Sequence, residues 1–141
     1  KNKYNVPADI IHFEITESAY SGEQDKLIER IEKIRELGFK IAMDDFGSGY
    51  SSLNILKDLP IDILKLDMGF MRRSKNTDKG QIVIESVVGL AKKLNFIIVA
   101  EGVETQEQAD FLRETGCDII QGYLYSKPVA EPQFLELIKN N

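Results

Sequence analysis

The sequence predicts an α/β domain of about five βα units with parallel strands. Three observations carry this. Short apolar runs alternate with longer stretches of helical period, the connections are short, and the apolar runs show little in/out alternation. Strict alternation of strand and helix implies parallel strands joined by right-handed crossovers. Strands that are apolar on both parities fit a sheet covered on both faces.

The elements follow in order. Residues 1–9 are polar and carry no periodic pattern. Residues 10–16 read as the first strand. Leu27, Ile28, Ile31, Ile34 and Leu37 recur at helical spacing over 23–37, and Gly38 stops that helix. Residues 40–45 form the second strand. A short helix over 52–58, capped by Ser51 or Ser52, ends before Pro60. The third strand covers 61–67 and a long helix 76–94. The fourth strand covers 95–100, and a helix capped by Thr105 runs to Thr115, where Gly116 stops it. The fifth strand covers 118–123 and a last helix 131–139.

Composition sets limits. The chain has 141 residues, 43% hydrophobic and 29% charged, the profile of one globular domain. A chain this long buries about two thirds of its unfolded surface. No apolar run approaches the roughly 20 residues needed to cross a bilayer, and no signal peptide is visible. A single Cys117 and a single His12 argue against a zinc site of nitrogen and sulfur ligands. The lone cysteine fits a reducing cytoplasm, which is the expected location. The net charge of −5 argues against a broad DNA or RNA surface. No membrane contact is expected from this segment.

The polar residues at the strand ends point to a site. Parity places Glu14 with His12 and Thr16, Asp44 with Ala42, Lys65 and Asp67 with Ile61 and Ile63, Glu101 with Ile97 and Val99, and Gln121 with Ile119. Parallel strands bring these ends, and Asp45, to one rim, where ligands of α/β sheets bind. A lone acid at a strand end is commonly a turn or cap residue, and Asp44-Asp45 alone reads equally well as a solvated turn. Lys65 within an apolar strand needs anionic partners. His12 lies deeper in its strand and reads as a hydrogen-bonded core or rim histidine. Cys117, Tyr50, Phe70, Tyr123 and Tyr125 read as packing residues. The candidate ligands are all oxygen donors, which selects Mg²⁺ or Mn²⁺. Adjacent aspartates can serve two ions about 3.5–4 Å apart, the spacing of two-metal phosphoryl chemistry.

Five motifs add a family. They are Phe13-Glu14-Ile15-Thr16-Glu17-Ser18, the run from Asp44 through Phe46-Gly47-Ser48-Gly49-Tyr50 to Leu53, the run from Leu59 to Asp67, Val99-Ala100-Glu101-Gly102-Val103-Glu104-Thr105, and Gln121 to Pro128. In order and spacing they resemble the EAL-domain phosphodiesterases that hydrolyse cyclic di-GMP. The resemblance implies a TIM-type barrel with its site on the C-terminal rim. It implies Glu14, Asp44 and Asp45 as metal ligands, with Asp44 serving both ions. Lys65 and Glu101 would be catalytic, Lys65 holding the attacking water and a phosphate oxygen, and Glu101 orienting that water or acting as general base. Glu17, Asp67, Glu104 and Gln121 would support the site or the substrate. Phe46, Gly47, Ser48, Gly49 and Tyr50 would form a regulatory loop, with Ser48 where the family usually has Thr. Met68-Gly69 departs from a more polar family pair.

The Glu-Ala-Leu motif itself does not occur in this sequence, nor does an asparagine that precedes the first matched strand in the family. Both supply ligands to the first metal there. A complete (β/α)₈ barrel takes about 250 residues. The chain is therefore expected to be the C-terminal portion of one EAL domain over 1–141, an incomplete barrel. The expected function is metal-dependent hydrolysis of cyclic di-GMP in the complete domain. The alternative is a cyclic di-GMP-binding sensor, with this chain inactive alone. Exposed sheet edges predict a homo-oligomer, with exchanged elements as one form.

Overall fold

The computed structural model describes residues 6–21, 23–47, 53–67, 69 and 78–139. Among the described residues, five strands and five helices alternate: β1 (His12–Thr16), α1 (Gln24–Glu36), β2 (Lys40–Phe46), α2 (Leu53–Asp58), β3 (Ile63–Leu66), α3 (Asp78–Lys93), β4 (Ile97–Ala100), α4 (Gln106–Thr115), β5 (Ile119–Ile120) and α5 (Glu131–Lys139). Short 3₁₀ turns at Ala8–Ile10 and Glu17–Ser21 flank β1. All strands pair in parallel in the order β1-β2-β3-β4-β5. Strictly sequential order with right-handed crossovers places the helices on one face. This is the winding of a β/α barrel, whereas doubly wound sheets reverse their strand order.

The packing follows that winding. Ile41, Met43, Leu64, Leu66, Ile98 and Ala100 share one parity and form the main core with helix residues such as Ile31, Leu56, Ile84, Val88 and Leu112. The opposite face has a small separate cluster of Ala42, Ile63 and Val99. Ile97 and Ile119, on that same face, are exposed. The expectation that both faces are covered is thus corrected. Helices cover one face, and the other, with its small cluster, corresponds to the interior face of a β/α barrel.

Several boundaries move for local reasons. The first strand begins at His12 rather than at 10, because Ile11 N–H donates to Ala8 O and closes a 3₁₀ turn. His12 is exposed at the start of this edge strand, not in the core. The third strand is shorter than expected at both ends. The fifth strand contracts to two residues, because the chain turns at Gly122, where Tyr125 N–H donates to Gly122 O. Helix α4 matches its sequence signals. Thr105 and Gln108 form a reciprocal capping box, and Gly116 closes the helix at φ 100°. The expected cap at Ser51 or Ser52 lies outside the described residues, as do Tyr50 and Phe70.

Two aspartates at the opposite, N-terminal end of the strands are structural. Asp62 accepts Ile41 N–H at 3.0 Å and pairs with Lys40 and Arg35. Burial opposes its ionisation, but these partners hold its carboxyl below the usual range. Asp118 accepts Ile98 N–H at 2.8 Å. Each ties the start of one strand to its neighbour, so acids at this end serve register. Cys117 packs against the main core, and burial pushes its thiol up to about 11. That makes it a packing residue rather than a nucleophile.

Candidate active site

At the C-terminal ends of the strands, four charged side chains meet. Lys65 Nζ lies 2.7 Å from Glu14 Oε1, 2.8 Å from Asp44 Oδ1 and 3.1 Å from Glu101 Oε1. They come from β1, β2, β3 and the residue after β4. Register explains the meeting. Glu14 stands opposite Ala42, Ala42 opposite Ile63, and Lys65 opposite Val99. All four therefore project from the inner face. The Lys65 side chain is only 14% exposed. Burial favours its neutral amine, but the carboxylates of Asp44, Glu14 and Glu101 outweigh this and raise its pKa. Lys65 is an ammonium at neutral pH.

The Asp44-Asp45 doublet owes its geometry to a β-bulge. Met43 pairs with Leu64, but Leu66 pairs with Phe46, so β2 has one residue more than β3 over this span. Asp45 takes φ 56°, a left-handed conformation that Asp tolerates better than most residues. The bulge shifts parity. Phe46 returns to the helix side and is buried with Met43, while Asp45 is exposed. Without the extra residue, Asp45 would enter the apolar core and Phe46 would face the acids. Phe46 is therefore the last core residue of β2 and not part of a loop, a correction to the expected Phe46–Tyr50 segment. Gly47 follows in a turn at φ 92°. Ser48, Gly49 and Tyr50 lie outside the described residues.

The remaining candidates stand further out. Asp67 Oδ1 accepts Gly69 N–H at 2.6 Å, so it caps the turn after β3. Glu17 opens the 3₁₀ turn after β1. Glu104 is exposed just before α4, and its N–H donates to Gln108 Oε1 at 2.8 Å. Gln121 is exposed beyond β5, where its backbone bonds Ala100 and Val103.

Gly122 fixes that last approach. A Cβ there would lie 2.1 Å from Val103 O and 2.3 Å from Val103 N. Only glycine lets this segment lie against the backbone after β4, where Leu124 N–H then donates to Val103 O. The expected effect of Gly122→Ala is a loss of about 3 kcal/mol or more in a denaturant titration. A loss below about 0.5 kcal/mol would show that the contact is not required.

The donor set suits a hard cation. It consists of carboxylate oxygens, and Asp44 Oδ1 is buried. The Lys65 ammonium lies 2.8 Å from it. Among the described residues, no three acidic, His or Cys side chains stand ready as a metal cluster. The ammonium of Lys65 sits among the acids instead.

A profile for the EAL domain matches residues 2–128. The chain belongs to the EAL domain family. Its matches include the cyclic di-GMP phosphodiesterase NbdA of Pseudomonas aeruginosa, 42% identical over 134 residues, or 95% of this chain and 17% of NbdA. The solved MucR phosphodiesterase of the same organism, in complex with c-di-GMP, superposes with a TM-score of 0.84 at 36% identity. That match covers 94% of this chain and 54% of the other. The manganese and cyclic di-GMP complex of Klebsiella pneumoniae BlrP1 gives a TM-score of 0.82 at 33% identity, covering 90% of this chain and 32% of that one. This EAL chain thus spans about half the length of the MucR structure and a smaller share of NbdA.

Proposed function

We propose that the EAL domain to which this chain contributes hydrolyses cyclic di-GMP to the linear dinucleotide pGpG. One observation carries the reading. Acids from three segments converge on a single half-buried lysine at the rim, in a family with phosphodiesterase relatives. Glu14, Asp44 and Asp45 would hold Mg²⁺ or Mn²⁺, up to two ions in the complete domain. Bound there, such ions supply an acidified water and charge stabilisation at phosphorus. The buried Asp44 Oδ1 and the all-oxygen donor set support this assignment.

The chain's own residues do the rest. Glu101 orients the attacking water and accepts its proton. Lys65, as an ammonium, stabilises the negative charge that grows on a non-bridging phosphoryl oxygen. The water oxygen bonds to phosphorus as the bond to the 3′ oxygen breaks, and the proton passes to that leaving oxygen. Glu17, Asp67, Glu104 and Gln121 border the site and serve substrate or loop placement.

The test is turnover by the full-length protein with Mn²⁺, followed by release of pGpG, beside calorimetry with cyclic di-GMP. Cleavage is expected. Binding without cleavage would replace this reading with that of a sensor.

We also read 1–141 as the C-terminal portion of that domain, in a cytoplasmic segment. No described helix is long and apolar enough to cross a membrane. The edges at β1 and β5 and the fully unburied α5 favour self-association of the isolated chain, exchanged elements included. Light scattering at tens of micromolar should report an oligomer, and a monomer there would refute it.

A further inference from the structure

The centre of the rim is held by a cation that the chain itself supplies. Lys65 Nζ touches Glu14, Asp44 and Glu101 at 2.7, 2.8 and 3.1 Å. Two of these acids, Glu14 and Asp44, are the ones assigned above to the metal. We propose that Lys65 is an internal counter-ion for the metal-free site, and that an incoming divalent cation must displace its ammonium from Glu14 and Asp44. The inference rests on the metal-dependent reading above.

Three features favour exchange over a permanent ion pair. Two cations cannot share the same carboxylate oxygens at short range without strong repulsion. Lysine has a flexible four-carbon stem, so its ammonium can swing aside while β3 stays in place. Asp44 Oδ1 is buried with the Lys65 ammonium 2.8 Å away, a monovalent partner that leaves some of its lone pairs unused. A divalent cation at the same place would satisfy them. Glu101, the third partner, can keep the ammonium once Glu14 and Asp44 are taken, which leaves Lys65 beside the reacting phosphate. The same side chain would thus neutralise the acids before loading and the substrate after it.

The experiment compares the full-length protein with its Lys65→Met variant, which keeps much of the volume and removes the charge. Mn²⁺ binding is measured by calorimetry without substrate. Affinity should rise about tenfold or more in Lys65→Met, as expected for removing one competing unit charge from the site. The metal-free variant should also melt below the wild type, and Mn²⁺ should raise its Tm by more. In the wild type, the ¹⁵N-ammonium resonance of Lys65 should shift as Mg²⁺ saturates the site. Equal or weaker Mn²⁺ binding by a folded Lys65→Met variant overturns the counter-ion role and leaves the metal-dependent reading intact. Should that variant not fold, an ammonium resonance unmoved at saturating Mg²⁺ overturns it alone. No Mn²⁺ binding by either protein would defeat the metal-dependent reading itself.

Discussion

Replacement of Asp45 by Asn in the full-length protein is expected to reduce cyclic di-GMP turnover by at least about 10³-fold while the fold survives. The two halves of this expectation have separate causes. Asp45 is exposed and sits at φ 56° in the bulge. Asn accepts the left-handed region as readily as Asp, so the backbone has no reason to change. The amide is nearly isosteric but lacks the charge that a divalent cation requires. Release of pGpG under saturating Mn²⁺ measures the first half, and the thermal midpoint the second. Turnover within a few-fold of wild type would remove Asp45 from the mechanism. A large fall in the midpoint would mean that its role is structural.

Phe46→Ala is expected to cost about 3–5 kcal/mol of stability. The side chain is 2% exposed and packs in the main core on the parity of Ile41 and Met43. It is also the residue that ends the bulge. Its pairing with Leu66, and the Asp67 N–H that donates to Phe46 O at 3.3 Å, hold the tip of β2 against β3. Loss of the ring therefore leaves a cavity and loosens the segment that orients Asp44 and Asp45. Urea titration of the variant gives the stability, and Mn²⁺ calorimetry under native conditions should show weaker binding. A cost below about 1 kcal/mol would show that Phe46 does not anchor the bulge.

The bulge leaves only a faint trace in the sequence. Ile41 and Met43 alternate with Ala42 and Asp44, and then Asp45 and Phe46 invert the pattern. A charged residue on the core parity followed by a large aromatic on the acidic parity signals one inserted residue. Gly122 had less of a trace. Its need for a missing Cβ comes from Val103, a residue far away along the chain, and no local rule reports such an approach.

The same contrast separates the acids. Asp62 and Asp118 look no different from Asp44 or Glu14 as residues near strand ends. The strand direction distinguishes them, because they sit where strands start and bind backbone N–H groups of a neighbour. Asp67 shows the limit of parity. Parity puts it on the face of Lys65, but β3 ends at Leu66 and its carboxylate turns back to Gly69 N–H. Alternation holds only while the chain is extended.

From the sequence alone came the order of elements, the parallel sheet, the helix stops and the rim on which the acids gather. These follow from periodicity, capping and the handedness of crossovers, all of which are local or nearly so. The tertiary structure decided which of those acids share one partner. Glu14 and Lys65 lie 51 residues apart, and their contact exists only because three strands align in one register. That register is chosen by the packing of the whole core, and a single slip would have turned Lys65 away from the acids and into the apolar layer beneath the helices.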